Sequence, residues 1–193
     1  EHILKRSPKT KIFGFYRSIG YSNYLKKNYK SKISILKINL KNYKNLKKKL
    51  NIIKPDVIFH LASDADVRNS FFKPLKFSEN NNMITANLLE ALRRLNSKAI
   101  IIICSTSEVY GNVKKKDMPI KETQLINPIN PYAVTKVFQD LISQVYEKTF
   151  GMNVIITRMF SYMNARRNNL IQTAFANQVA AIEKGKLKYL RHG

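Results

Sequence analysis

Ser105-Thr106-Ser107-Glu108-Val109-Tyr110-Gly111, followed after a polar connection by Asn130-Pro131-Tyr132-Ala133-Val134-Thr135-Lys136, is the stretch whose reading decides the fold. The first segment comes directly after the apolar run Ala99-Ile100-Ile101-Ile102-Ile103-Cys104, so a strand delivers hydroxyls and one carboxylate at its C-terminal end. The second segment opens a helix, because Asn caps helix N-termini and Pro suits the first turn. Tyr132 and Lys136 are then i and i+4 on one helix face. An ammonium beside a phenol favours the phenolate and lowers a pKa that starts near ~10, which suits tyrosine to acid/base work near neutrality. Tyr-x-x-x-Lys by itself is a weak signal; preceded by the strand-end Thr-Ser-Glu-Val-Tyr-Gly it is a specific one.

Outward from this stretch, strands are expected at 11–17, 33–38, 56–62, 99–104 and 154–158. Helices are expected at 42–53, 80–95, 132–150 and 170–184, and residues 1–6 read as the end of another. Leu46, Leu50 and Ile53 carry helical spacing in one, and Ile84, Leu88, Leu89 and Leu92 in the next. Ile- and Val-rich strands alternating with helices make βα units. The fold class is α/β: a doubly wound, Rossmann-like parallel sheet covered on both faces. Ligands of such sheets sit beyond the carboxyl ends of the strands. That rule selects Arg17, Asn39, residues 61–65, residues 106–108 and residues 160–167.

At 193 residues and 44% apolar content the chain is long enough to bury a core. Its formal charge of +23 raises the case for nucleic acid. The lysines are spread over Lys26-Lys27, residues 41–49 and residues 114–116 among many Asn and Ile, which reads as a solvated surface. A lone Cys104 excludes an internal disulfide and suits a reducing compartment. With no apolar run near the ~20 residues that span a bilayer, and no signal-peptide pattern, the cytoplasm is the default expectation. His2, His60 and His192 have no ligand spacing with Cys104, so no metal site is expected.

On these motifs the chain resembles the extended short-chain dehydrogenase/reductase family, in its nucleotide-sugar epimerase/dehydratase branch, on the side of GDP-mannose 4,6-dehydratase and GDP-4-keto-6-deoxymannose reductase. The resemblance covers nearly the whole chain. It implies that Thr106 bonds the sugar's 4-hydroxyl and that Glu108 removes the C5 proton. It implies also that Tyr132 takes the 4-hydroxyl proton, while Lys136 binds the cofactor ribose and tunes Tyr132. The family's G-x-x-G-x-x-G phosphate loop does not occur among the six glycines. The expectation is therefore a fold truncated at both ends. Residues 1–160 would form a dinucleotide-binding domain lacking its first strand and loop, and 161–193 the start of a substrate-binding lobe.

Arg17 and Ser18 stand where NAD-specific relatives place an acidic residue, so a 2′-phosphate and NADP are favoured, with NAD as the alternative. Asn39-Leu40 matches an Asp-Leu that reads the adenine edge, with Asn in place of Asp. Leu61-Ala62-Ser63-Asp64-Ala65 matches the segment that lies along the cofactor, and Asn81, Thr85 and Asn87 the helix that buttresses it. Phe160-Ser161-Tyr162-Met163-Asn164-Ala165-Arg166-Arg167 lines up with Phe-Asn-His-Glu-Ser-Pro-Arg-Arg, departing from it at Ser161 and Tyr162. The resemblance puts Tyr162 and Arg167 beside the cofactor, and Ser107, Ser161, Asn164 and Arg166 beside the substrate.

The activity this implies is an NADP-dependent nucleotide-sugar 4,6-dehydration on a GDP-linked substrate, in a homo-oligomer without nucleic-acid or membrane partners. The same-branch alternative is a 4-keto-reductase or epimerase. Outside the class, the charge and the tyrosines among the lysines of residues 21–29 suggest a basic nucleic-acid-binding module.

Overall fold

In the computed structural model of this chain, residues 2–17, 32–162 and 171–191 are described. Two compact units divide after Arg158, Glu1–Arg158 and Met159–Gly193. In the first, chain order runs α1 (His2–Arg6), β1 (Ile12–Tyr16), β2 (Ile33–Lys37), α2 (Tyr43–Ile53), β3 (Val57–His60), α3 (Val67–Phe72), α4 (Pro74–Arg94), β4 (Ile100–Cys104), a 3₁₀ turn at Ser107–Tyr110, α5 (Pro131–Phe150) and β5 (Val154–Thr157). The connection between the first two strands, residues 18–31, lies outside the described residues. In the second unit α6 (Ile171–Glu183) is anchored by the Gln178 side chain, whose amide donates to the Arg191 carbonyl at 3.1 Å and accepts from the Arg191 N–H at 2.7 Å.

All the strand pairings among the described residues are parallel, β1 with β2 and β3-β4-β5 in that order. The carboxyl ends of β1 and β3 lie beside each other, where Arg17, just past β1, meets Asp64, just past β3, at 3.6 Å. One core serves both: Leu46 and Leu50 of α2, Leu88, Leu89 and Leu92 of α4, and Ile101 and Ile103 of β4 are buried together, with Phe15 of β1 and Ile58 of β3 against them.

Within the first unit, helices α4 and α5 lie on one face of the three-stranded ladder, among the described residues. Val57 and Ile100 are register partners, as are Phe59, Ile102 and Ile155, so these residues share one face. On it Val57, Phe59, Ile100 and Ile155 are 41–52% exposed. The cause is handedness. The crossovers through α4 and α5 step in the same direction along the sheet, and right-handed crossovers stepping one way put their helices on one side.

Helix α4 begins six residues before the expected 80, preceded by a short helix that Asp66 caps through the Asn69 N–H at 3.0 Å. Pro74 is tolerated because it occupies the first turn. The first turns of α4 bury Phe77, then Asn80 and Asn81, so the inward stripe is partly polar and hydrophobic periodicity does not register it.

The carboxyl edge of the sheet is tied to α5 by an ion pair. Arg158, at the end of β5, donates from Nε to Asp140 Oδ2 at 2.7 Å and from Nη2 to Oδ1 at 3.2 Å. Its Nη1 donates to the Tyr110 hydroxyl at 3.0 Å and the Glu122 carbonyl at 2.8 Å. The Asp140 side chain is fully buried, and its carboxylate raises the Arg158 pKa further. Removing one partner of such a pair leaves the other charge buried and unmatched. Asp140→Ala is therefore expected to cost ~3–5 kcal/mol of unfolding free energy; urea denaturation measures it, and a loss below ~1 kcal/mol would show that Arg158 relaxes into water instead.

Candidate active site

Three strand ends and the first turns of α5 build the site. After Cys104 the backbone stays extended only as far as Thr106, whose φ is −155° and ψ 153°, and then tightens into the 3₁₀ turn. Thr106 Oγ1 accepts from the Glu108 N–H at 3.3 Å and caps that turn. The Glu108 carboxylate is consequently directed by the turn rather than by strand alternation. Gly111 closes the turn at φ 61°, and a Cβ there would lie 2.0 Å from the Asn127 carbonyl oxygen, so only glycine fits.

Asn130 joins the halves of the motif. Its Oδ1 accepts from the Ala133 N–H at 2.7 Å, capping α5, while its Nδ2 donates to Glu108 Oε2 at 2.9 Å. The exposed carboxylate is thereby held two residues before Tyr132, which is buried at the start of the helix. Lys136 lies one turn further on, with Nζ 5.9 Å from the Tyr132 ring centre. It is buried too, and Nζ donates to the Cys104 carbonyl at 2.7 Å and to Gln139 Oε1 at 2.9 Å. Burial pulls its pKa down to about 8, with Cys104 opposing the shift.

The segment after β3 is pinned to the same helix. Asn81 accepts from the Asp64 N–H at 2.8 Å and donates from Nδ2 to the Asp64 carbonyl at 3.0 Å and to Thr135 Oγ1 at 2.9 Å. Leu61 is 68% exposed, and Ala62 is exposed beside it. Ser63 donates to the Asp64 carbonyl at 3.3 Å. Arg17 donates to Asn80 Oδ1 at 3.0 Å, so Arg17, Asp64 and Asn80 meet at one edge. Asn39 accepts from the Lys41 N–H at 3.0 Å and shapes its own turn, and Asn87 donates to the carbonyls of Leu40 and Lys41 at 3.0 and 3.1 Å, a tie between elements. His60, 5% exposed, bonds Thr85 Oγ1 through Nε2 at 2.9 Å, and burial with the nearby Lys136 charge lowers its pKa to about 4.

Thr106, Ser107, Glu108, Tyr132, Lys136, Arg17 and residues 61–65 thus come together along one edge of the first unit. Ser161 and Tyr162 are exposed residues of the second unit, and Ser18, Asn164, Arg166 and Arg167 lie outside the described residues. Sequence reading did not single out Gln139, Asp140 or Arg158, which no motif marks. The spacing of Lys136 and Gln139, i and i+3, was the available signal.

The donor set fits a phosphorylated dinucleotide. Lys136 has committed two of three N–H groups in these bonds, Arg17 presents a guanidinium 59% exposed, and the buried Ser105 Oγ has no partner among the described residues.

A family model described as GDP-mannose 4,6 dehydratase matches residues 3–193. The chain is 30% identical over 132 residues to GDP-6-deoxy-D-mannose reductase of Pseudomonas aeruginosa, a match covering 68% of this chain and 43% of that protein. It is 38% identical over 114 residues to dTDP-D-glucose 4,6-dehydratase of Dictyostelium discoideum, covering 54% and 26%. It spans less than half the length of these relatives. Among solved structures it is similar to UDP-glucuronic acid 4-epimerase from Bacillus cereus in complex with UDP-glucuronic acid and NAD, with TM-score 0.79, 28% identity and coverage of 93% of this chain and 58% of that one. It is similar also to RMD from Pseudomonas aeruginosa complexed with NADPH, with TM-score 0.76, 25% identity and coverage of 92% and 64%.

The depressed Lys136 pKa gives a signed expectation. The unfolded chain keeps this proton up to about 10.5 and the folded chain releases it near about 8, so between those values the unfolded state binds more protons and stability rises with pH. Lys136→Met has no such proton. Across that window wild type should gain on the variant by on the order of 2–3 kcal/mol, read from urea curves at its two ends; parallel pH dependences would contradict the buried ammonium.

Proposed function

The chain belongs to the GDP-mannose 4,6-dehydratase family, and from that premise we propose that it serves in an NADP-dependent nucleotide-sugar 4,6-dehydratase acting on a GDP-linked hexose. The observation that carries the reading is the Asn130 bridge, which holds a solvent-facing carboxylate, Glu108, beside a buried tyrosine and lysine. Oxidation at C4 needs a group that takes the hydroxyl proton. Elimination needs a second group that takes the proton from C5, and two groups of different acidity would meet both needs.

In this reading Tyr132 takes the 4-hydroxyl proton, and the Lys136 ammonium stabilises the phenolate that does so. Thr106 orients the sugar through its hydroxyl. Glu108 takes the C5 proton and delivers a proton to the departing 6-hydroxyl, so that water leaves. The nicotinamide cofactor, when bound, supplies the reversible redox change. Lys136 and Arg17 would hold it by the ribose and the 2′-phosphate. Arg17 favours NADP over NAD because a guanidinium matches a phosphate in a bidentate geometry. Tyr162 and Arg167 are proposed beside the cofactor, and Ser107, Ser161, Asn164 and Arg166 beside the substrate.

A second reading, a 4-keto-reductase, draws support from the 30% identity to GDP-6-deoxy-D-mannose reductase. There Tyr132 gives a proton instead of taking one, and Glu108 only positions the sugar. Incubation of the enzyme containing this chain with GDP-mannose and catalytic NADP separates the two. A 4-keto product without net NADPH formation supports the dehydratase; no product, together with NADPH-dependent reduction of a 4-keto sugar, supports the reductase.

Either reading predicts that Tyr132→Phe retains the fold and cofactor affinity but loses ~10²–10⁴ in kcat, because a single positioned proton-transfer group is removed. Steady-state kinetics on a demonstrated substrate checks this, and near-wild-type turnover would reject the assignment of Tyr132.

A further inference from the structure

Gln139 is wholly buried, and its amide is fully committed. Nε2 donates to Thr85 Oγ1 at 2.6 Å and to the Asn81 carbonyl at 3.1 Å, while Oε1 accepts from Lys136 Nζ at 2.9 Å. The Thr85 hydroxyl donates to the Asn81 carbonyl at 3.0 Å, so His60 meets it at 2.9 Å as the Nε2–H tautomer. With both donors spent on α4, the amide of Gln139 cannot turn over without placing an N–H against the ammonium. The oxygen is thereby fixed toward Lys136.

We propose that Gln139 is a positioning residue for Lys136, an acceptor clamped by Thr85 and Asn81 that holds the buried ammonium in place and in its charged form, with one N–H left for a ligand. The inference rests on the reading of Tyr132 and Lys136 as the acid/base pair. The alternative role for a buried glutamine is to fill space and satisfy α4, and that role makes no demand on Lys136. Two fixed acceptors on different elements, the Cys104 carbonyl of β4 and Gln139 Oε1 of α5, define where the nitrogen sits. The titratable groups facing it are Cys104 from β4, His60 from β3 and Tyr132 on its own helix. From α4 come the neutral Asn81 and Thr85, and the Asp64 carboxylate of the following loop is paired with Arg17.

The test is a ¹³Cε-lysine NMR titration of the full chain. One lysine should titrate well below the rest, near about 8, and vanish in Lys136→Met. Gln139→Glu places an anion against the ammonium and should raise that midpoint by about one pH unit or more. Gln139→Met removes the acceptor at similar volume and should move it the other way. A folded variant of either kind whose lysine midpoint stays with wild type, whatever its melting temperature, would overturn the proposal. Wild type provides a reading that needs no substitution: the Gln139 side-chain amide signals should follow the same midpoint, and signals that stay fixed through it reject the contact. None of these readouts uses turnover. Failure of the nucleotide-sugar assay would thus sink the proposed function alone, and an indifferent Lys136 would sink this inference alone.

Discussion

Taking an ammonium out of water is the constraint on which this molecule's first unit turns. Lys136 is 5% exposed, and an isolated buried charge is too costly to persist unless dipoles replace its water. Those dipoles come from two directions, a carbonyl at the end of β4 and an amide on the next turn of α5. Each must itself be placed, the first by the parallel ladder and the second by Thr85 and Asn81 of α4. Of the polar residues that interrupt the inward face of α4, Thr85 serves the lysine through Gln139, while the Asn81 side chain ties the loop after β3 to α5. A leucine at Thr85 would pack, but it would leave the amide of Gln139 with the Asn81 backbone carbonyl as its one acceptor and one donor unsatisfied.

The charge is distributed in two tiers. Asp140 and Arg158 are matched within the fold, whereas most of the chain's 35 basic side chains meet water. The matched pair does mechanical work for the site: it joins β5 to α5 and, through Tyr110 and Glu122, to the turn that carries Glu108. The large net charge is thus a property of the surface and tells little about the site.

The order of strands and helices was legible because the strands are short Ile-rich runs and the helices carry leucines at regular spacing. The motif spanning Ser105 to Lys136 was legible for a different reason: its residues are neighbours in sequence, and the caps at Thr106 and Asn130 are local. What escaped was non-local or polar. The helix at Val67–Phe72 and the early start of α4 at Pro74 lack an apolar stripe. Gln139, Asp140 and Arg158 matter through partners far along the chain, and nothing in their immediate sequence marks them. The 3₁₀ turn that follows Thr106 was likewise unmarked, because no residue pattern there separates it from a continuing strand end.

The half-exposed sheet face with Val57, Phe59, Ile100 and Ile155 in register has a colloidal consequence. Apolar faces of two molecules attract one another only at contact, whereas a net charge of +23 repels at range. At low ionic strength, where the screening length reaches ~30 Å at 0.01 M, the repulsion acts before the faces meet and keeps molecules dispersed; near 1 M salt it shrinks to ~3 Å and the faces are free to stick. The lysines that contribute little to the site thus act as the chain's own dispersant, and a high-salt buffer chosen to keep so basic a protein off nucleic acid would remove that protection.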